Sequence, residues 1–141
     1  MFYRGTWCPY CDIAMSAYQQ NLLPRLTGRG IGLVAISPQT RTGRCPCRKT
    51  RPVLHRGLRP GNVIARGLGV LTRPSDEARA AQLKLGRDLT AVNADGTVSL
   101  PMPTVVIADA DHVVRWIDVH PDYSSRTEPA QILGALGRLG I

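Results

Sequence analysis

The sequence predicts an α/β fold in a single domain of 141 residues. A helical pattern runs from about Pro9 to Thr27, and an apolar run over residues 31–37 follows it between turn signals. Such a run is typical of a strand buried on both faces of a parallel sheet. A second apolar run at 105–108 precedes an alternating run at 113–119, which predicts an antiparallel hairpin at one side of the sheet. This length is enough for one hydrophobic core.

The first helix is predicted to begin at Pro9, because proline is favoured at the first helical position. Pro24 should kink or end it, and the glycines at 28 and 30 should stop it. Phe2 and Tyr3 indicate the end of a buried strand, so we expect the domain to lack the strands before it. The apolar positions of the helix are Ile13, Ala17, Leu22, Leu23 and Leu26.

Later segments supply the scaffold. Helical patterns are predicted at 63–68 and 76–85, and an Asp95-Gly96 turn within 88–99 favours a hairpin. Trp116 is interpreted as a packing residue. The last helix is predicted to start at Thr127-Glu128-Pro129, and its core positions are Ile132, Leu133, Leu136 and Leu139.

Two cysteines, Cys8 and Cys11, form a C-x-x-C pair where the first strand meets the first helix. A thiolate is stabilised by a helix N-terminus or a nearby cation, and Cys8 is expected at the N-cap. Cys11, about one turn further on, could attack an oxidised Cys8 and form a disulfide. A bare C-x-x-C is also compatible with buried thiols or half of a zinc site. The preceding aromatic residue and the intervening Pro-Tyr favour a redox role.

The formal charge of +8 is concentrated in one block. Residues 41–60 hold seven of the 18 basic residues and no acid, which leaves 11 basic and 10 acidic residues elsewhere. We therefore interpret 41–59 as a solvated, poorly ordered loop, not a nucleic-acid contact. Four cysteines, no apolar run long enough to cross a membrane and no secretory leader predict a soluble, cytoplasmic protein.

Four blocks in order resemble one family. The blocks F-Y-R-G-T-W-C-P-Y-C, V-A-I-S-P-Q-T, L-P-M-P-T-V-V-I-A-D and D-Y-S-S-R-T-E-P-A-Q-I-L are similar to the peroxiredoxin-like branch of the alkyl hydroperoxide reductase and thiol-specific antioxidant (AhpC/TSA) family. The resemblance covers residues 2–40 and 60–138. It implies a single thioredoxin-like domain over 1–141, a three-layer sandwich in which helices flank a mixed sheet. It also implies a cis Met102–Pro103 bond beside the reactive cysteine.

The chemistry that the resemblance implies is thiol-dependent reduction of hydroperoxides. Cys8 would attack the peroxide, and Cys11 would resolve the sulfenic acid as a disulfide. A thioredoxin-like or other thiol donor would then reduce that disulfide, with no metal or cofactor and with neither nucleic acid nor membrane as a partner. A homodimer is compatible with this chemistry. Residues expected to stabilise the substrate or the thiolate are Thr6, Trp7, Arg4, Pro103 and Arg126.

Two positions depart from the better-known peroxiredoxins, which carry Thr three residues and Pro seven residues before the reactive cysteine. Here those positions are Gly5 and Met1. Thr6 is one residue away and does not simply replace the hydroxyl. General thiol–disulfide exchange by W-C-P-Y-C is therefore the second hypothesis. In the matching C-terminal block, His120 as a general base is weaker, because a thiolate that is already formed needs no base.

The segment R-T-G-R-C-P-C-R-K at 41–49 interrupts the resemblance. A one-base shift of suitable codons turns it into P-D-G-S-L-S-M-Q-E, which is similar to the family, so we favour an out-of-frame passage. Cys45 and Cys47 would then be accidental. An alternative is that they bind zinc together with Cys8, Cys11 or His55. A damaged, inactive family member is a third hypothesis.

Overall fold

The computed structural model describes residues 1–40, 54–57 and 62–141, and of residues 54–57 the backbone alone. The helices are α1 (Pro9–Ala17), α2 (Leu23–Thr27), α3 (Val63–Gly67), α4 (Asp76–Lys84), α5 (Leu89–Val92) and α6 (Pro129–Leu139). A π-helical segment, Tyr18–Leu22, joins α1 to α2. The strands are β1 (Leu33–Ile36), β2 (Leu54–Gly57), β3 (Leu71–Thr72), β4 (Leu100–Pro101), β5 (Thr104–Ala108) and β6 (Val114–Val119).

The main sheet is mixed, and the first residues of the chain lie at its centre. β1 pairs with β2 in parallel, and β5 pairs with β6 antiparallel. Phe2 joins the two pairs, because it bridges Ile36 in parallel and Thr104 antiparallel. Its N–H donates to the Thr104 carbonyl at 2.7 Å, and the Tyr3 N–H donates to the Ile36 carbonyl at 2.9 Å. A separate small ladder pairs β3 with β4.

Helices cover both faces of this sheet, as the predicted α/β sandwich requires. On one face, side chains of α1, α2 and α6 pack on inward residues of β1 and β5, with Leu22 and Leu136 almost completely buried. On the other face, Ala65 of α3 packs with Phe2 and Val70. The helical segment that begins at Pro9 therefore follows the central sheet residues Phe2 and Tyr3 in the chain and packs across one face of the sheet.

The predicted helix at 9–27 is confirmed, but its buried face differs in part. Ile13 was expected in the core and is 69% exposed, so that prediction is wrong. The buried stripe is formed instead by Cys11, Ala14, Tyr18, Leu22 and Leu26. The π-helical segment widens the turn at its middle and shifts the stripe that continues beyond it.

Two strand predictions also require correction. β1 is not buried on both faces, because Val34 is 39% exposed. The segment 88–99 begins with the short helix α5 at Leu89–Val92 and forms no hairpin, since the Asp88 carboxylate accepts from the Thr90 N–H and starts a helical turn. Asp95 and Gly96 do lie in a turn, as predicted.

The basic segment is described only in part. Its residues Leu54–Gly57 form β2, where the sequence predicted a loop. The frame-shift hypothesis and the proposed zinc ligands Cys45 and Cys47 lie outside the described residues.

Candidate active site

The C-x-x-C pair lies at the start of α1, next to the centre of the sheet. Cys8 is the N-cap residue, with extended backbone angles, and Pro9 occupies the first turn, as predicted. Cys8 is 3% exposed and Cys11 is 1% exposed, and both are free thiols. The strand before Cys8 is held by the sheet and the helix after it is held by the core, so the two sulfurs have fixed positions.

The pKa of Cys8 is lowered to about 6. The largest cause is a hydrogen bond from the Cys11 thiol, and burial opposes it. The Cys11 N–H and the cations of Arg4 and Arg126 add smaller favourable contributions. The Cys8 side chain makes no capping hydrogen bond of standard geometry, so the neighbouring thiol contributes more than the helix end on which the sequence argument depended.

The pKa of Cys11 is raised well above its ordinary value. The causes are its hydrogen bond to Cys8, its burial and the negative charge of the Cys8 thiolate. The two thiols thus share one proton, which stays on Cys11 at neutral pH. In the resting state Cys8 is therefore the sulfur that carries the negative charge, and Cys11 is its proton-bearing partner.

Arg126 is the cation that contacts both sulfurs. Its Nη2 lies 3.4 Å from the Cys11 Sγ and 3.9 Å from the Cys8 Sγ. Its Nη1 donates to the carbonyls of Tyr123 and Ser125, which orient the guanidinium. A cation held in this way favours negative charge on either sulfur and on an oxygen bound beside them.

Arg4 and Trp7 lie at the edge of the same site. The Arg4 guanidinium carbon is 4.4 Å from the centre of the Tyr123 ring and 5.3 Å from that of Trp7. The rings hold the cation over the site without neutralising its charge. Burial lowers the pKa of Arg4, and the charge of the Cys8 thiolate opposes that shift.

The surroundings of Gly5 and Thr6 concern the threonine hydroxyl that better-known peroxiredoxins carry three residues before the reactive cysteine. Gly5 has φ +153°, and a Cβ there would lie 2.4 Å from the Trp7 Nε1, so a threonine at this position would collide with the indole. The Thr6 hydroxyl and N–H both donate to the Gln39 Oε1, at 3.0 and 2.8 Å. Thr6 therefore links two loops, and its hydroxyl is not hydrogen-bonded to either sulfur among the described residues.

A cleft of about 510 Å³ gives access to Cys8. Trp7, Tyr10, Pro103 and Tyr123 line it together with Cys8, whereas Cys11 does not. A reactant that enters the cleft therefore meets Cys8 first. Pro103 lines the same cleft as Cys8, and its predicted role beside the reactive cysteine stays a prediction.

The predicted cis bond before Pro103 is wrong, because the Met102–Pro103 bond is trans. The chain is held extended on both sides of this bond. The Met102 N–H donates to the Val70 carbonyl at 2.8 Å, and the His120 N–H donates to the Pro103 carbonyl at 2.9 Å. These pairs are compatible with the trans isomer, which X–Pro bonds adopt in most cases.

A hydrogen-bond network orders the loop that carries Arg126. His120 contacts the Asp118 carboxylate at 3.0 Å and the Ser125 hydroxyl at 2.9 Å. The Tyr18 hydroxyl of the π-helical segment donates to the Thr127 carbonyl at 2.5 Å. His120 thus has a positioning role, and its ring is occupied by partners other than the sulfurs.

The sequence analysis missed Gln39 and Tyr18 as supports of the site. Tyr18 could have been found, because a tyrosine on a buried helical face needs a partner for its hydroxyl. Within the described ranges, no cluster of three metal-ligating side chains occurs. None of the helices in the same ranges has the length and hydropathy that a membrane span requires.

Comparisons with known proteins agree with this architecture. The family model Redoxin matches residues 1–135. No curated protein and no solved structure matches the chain. Membership of this family supports thiol-dependent oxidoreductase chemistry in general, with a thiol reductant and a peroxide as its reactants. With a thioredoxin-like sheet, a C-x-x-C at the start of α1 and a match over nearly its whole length, the chain belongs to the Redoxin family, among the peroxiredoxin-like proteins.

Proposed function

We propose that this chain reduces hydroperoxides, with Cys8 as the attacking thiolate and Cys11 as the thiol that resolves it. The observation that carries the proposal is the geometry of two free, buried thiols at the start of α1, with the Arg126 Nη2 3.4 Å from the Cys11 Sγ and 3.9 Å from the Cys8 Sγ. The opposite directions of the two pKa shifts agree with this arrangement. At pH 7 a thiol with a pKa of about 6 is mostly thiolate, which is the reactive form.

In the first step the Cys8 thiolate attacks the outer oxygen of a hydroperoxide, ROOH. A sulfur–oxygen bond forms, the O–O bond breaks, the hydroperoxide proton stays on the sulfenic oxygen, and RO⁻ leaves and takes a proton from the solvent to become ROH. Cys8 is oxidised to a sulfenic acid and the peroxide is reduced. Arg126 lies where it can stabilise the negative charge as it moves from sulfur to oxygen.

In the second step Cys11 attacks the oxidised sulfur. Once Cys8 is a sulfenic acid, the negative charge that raised the Cys11 pKa is gone, and Arg126 favours the Cys11 thiolate. The Cys11 sulfur bonds to the Cys8 sulfur, and the sulfenic oxygen leaves as water with the Cys11 proton. The same hydrogen bond that keeps Cys11 protonated in the resting state thus ceases to do so after oxidation.

The third step restores the thiols. An external thiol attacks the disulfide and forms a mixed disulfide, and a second thiol releases the reduced pair. The Cys8 sulfur is the one that lines the cleft, so we place the mixed disulfide on Cys8. A thioredoxin-like protein or another thiol donor is the proposed reductant, and a cytoplasmic, reducing compartment suits it.

Thiol–disulfide exchange is the second candidate function, and the environment of Gly5 and Thr6 favours it. The hydroxyl that activates peroxide in better-known relatives has no counterpart at Gly5, and Thr6 is bound to Gln39. Cys8 and Cys11 would then reduce a disulfide on another molecule by the reverse of the third step.

One experiment separates the two functions. The rate of peroxide consumption with dithiothreitol as donor is compared with the rate of insulin disulfide reduction, for the wild type and for Cys8→Ser. Peroxide reduction predicts Cys8-dependent consumption and a Cys8–Cys11 disulfide after one equivalent of peroxide, detected by mass spectrometry. Insulin reduction without Cys8-dependent peroxide consumption would replace the proposal with the second candidate, and a chain inactive in both assays would support the damaged-protein hypothesis.

A further inference from the structure

Helix α4 presents a stripe of three apolar residues and Gln82 to the cleft, and it presents no buried residue to the core. It buries no residue, although Ser75 caps it with a hydrogen bond to the Ala78 N–H at 3.2 Å. The residues of α4 and its end that line the cleft are Ala78, Ala81, Gln82 and Leu85. This i, i+3, i+4, i+7 spacing is that of the face by which a helix usually contacts its core.

The stripe is exposed among the residues that the structure describes. Leu85 is 73% exposed, and Ala78 and Ala81 are also exposed. Leu100, Met102 and Pro103 line the same cleft. Apolar residues from two segments of the chain in a cleft that contains Cys8 suit an apolar ligand chain.

Apart from the Cys8 thiolate, the charged side chains of the cleft are arginines. Arg4, Arg73 and Arg87 line it, and none of its described lining residues is an Asp or a Glu. The Arg87 guanidinium carbon lies 5.0 Å from the centre of the Trp7 ring, which holds its charge at the cleft. Neither Arg73 nor Arg87 forms an ion pair with any residue that the structure describes. Two arginines without carboxylate partners suit an anionic group.

From this juxtaposition we propose that the cleft selects hydroperoxides that carry an anionic head group on an apolar chain. The chain lies against the α4 stripe, the head group pairs with Arg73 and Arg87, and the peroxide reaches Cys8. The inference rests on the proposed function, because Cys8 must first reduce peroxides. The reaction is unchanged: ROOH is reduced to ROH, and the two cysteines supply the electrons as they form their disulfide.

The turnover test uses a medium-chain hydroperoxide with a terminal carboxylate and its methyl ester, both below their micellar concentrations. The wild type should prefer the acid over the ester in kcat/KM. In the double variant Arg73→Gln/Arg87→Gln this preference should fall by about fivefold, the magnitude of exposed charge pairs. Arg73→Lys/Arg87→Lys should retain most of it. The ratio of the two substrates cancels any general loss of folded protein.

A matched control removes two charges from α4 outside the cleft. Arg79 and Lys84 lie on this helix and do not line the cleft, so Arg79→Gln/Lys84→Gln should keep the preference. An equal fall in this control would assign the effect to net charge and overturn the proposal. So would a wild type that turns over the ester as well as the acid.

A binding measurement separates failure of this inference from failure of the proposed function. Calorimetric titration of Cys8→Ser with octanoate and with 1-octanol needs no turnover. Octanoate should bind more tightly, and the advantage should disappear in Cys8→Ser/Arg73→Gln/Arg87→Gln. If this result comes with a wild type that consumes no peroxide, the head-group site stands and the peroxidase proposal fails. If octanoate and octanol bind equally, the head-group site itself is rejected.

Discussion

Cys8 and Cys11 are the same kind of side chain, one helical turn apart, and both are nearly inaccessible to solvent. Yet the pKa of Cys8 is lowered to about 6, whereas that of Cys11 is raised. Burial raises the pKa of both thiols, so burial cannot distinguish them. The difference arises from which sulfur accepts the hydrogen bond between them. In the proposed function, the direction of this one hydrogen bond makes Cys8 the attacking thiolate and Cys11 the resolving thiol.

The largest effect is expected from removing the accepting sulfur. Cys8→Ser should lower peroxide turnover by about three orders of magnitude or more, because a serine hydroxyl stays protonated at this site. Cys11→Ser is the matched control, and it should still consume one equivalent of peroxide in a single turnover. A stopped-flow assay of peroxide loss measures both. A single turnover that is retained in Cys8→Ser and lost in Cys11→Ser would reverse the assigned roles, and equal rates would mean that neither cysteine is the specific nucleophile.

The pH dependence of stability tests both shifts at once. The folded pKa of Cys8 is about 6, below the unfolded value of about 8.5, so between these values the unfolded chain binds more protons and stability rises with pH. Above about pH 9 the unfolded chain loses the Cys11 proton that the folded chain keeps, and stability falls.

The size of this dependence follows from the linkage. The contribution of Cys8 to the free energy of unfolding should rise by at most about 1.4 kcal/mol per pH unit between pH 6 and 8.5. Urea unfolding under a phosphine reductant, at several pH values, measures it as the difference between the wild type and Cys8→Ser, which cancels the Met1 amino group, whose pKa is also lowered to about 6. This difference should rise from pH 6 and level off near pH 8.5. A flat difference would mean that Cys8 titrates alike in the folded and unfolded chains.

Removing only the donor sharpens the comparison further. Cys11→Ala should raise the Cys8 pKa toward about 8.5, which would slow its alkylation at pH 7 by up to about 30-fold. Cys11→Ser keeps a hydrogen-bond donor and should slow it much less. The rate of Cys8 modification by iodoacetamide, followed by mass spectrometry, gives both values. If the Ala and Ser variants react alike, the thiol hydrogen bond is not the main cause of the low pKa.

A smaller effect is expected from the cation. Arg126→Gln should raise the Cys8 pKa and slow alkylation by about three- to tenfold, because the Arg126 charge contributes less than the Cys11 thiol. Arg126→Lys keeps the charge but cannot reproduce both carbonyl contacts, so its rate of Cys8 alkylation should lie between those of the wild type and Arg126→Gln. A loss larger than that of Cys11→Ala would make Arg126 the dominant cause.

The smallest effect is expected at Thr6. Thr6→Val removes the hydrogen bond from the Thr6 hydroxyl to Gln39 and keeps the one from the backbone N–H. It should cost about 1 kcal/mol of stability and leave Cys8 alkylation unchanged. Thermal unfolding and the alkylation assay measure the two quantities. A slower alkylation would return Thr6 to the role that the sequence predicted for it, stabilisation of the thiolate.

Local sequence patterns were sufficient to predict much of the architecture. The helix after Cys8, the β5–β6 hairpin and α6 with its capping box at Glu128 and Gln131 all follow from spacing and turn residues. The N-cap position of Cys8 follows from Pro9. These features depend on neighbours in the chain, so a single sequence contains the information.

Features that depend on distant segments could not be predicted in the same way. The exposure of Ile13 and Val34 depends on what packs against them, and the trans bond at Pro103 depends on pairs with Val70 and His120. The donor role of Cys11 could not be predicted either, because the C-x-x-C spacing places two thiols together but does not determine which one keeps the proton. The orientation of Arg126 toward both sulfurs requires the fold that brings residue 126 to residue 8.

The hydroxyl of Tyr18 acts as a brace between segments that are 109 residues apart. It connects the helical segment that follows the two thiols to the carbonyl of Thr127, the residue after Arg126. Burial raises the pKa of the Tyr18 phenol to about 12, so this hydrogen bond persists across the physiological pH range. This hydrogen bond therefore helps to fix the distance between the Arg126 guanidinium and the sulfurs of Cys8 and Cys11. A change at the start of α6 should alter this distance, although α6 contributes no group to the proposed chemistry.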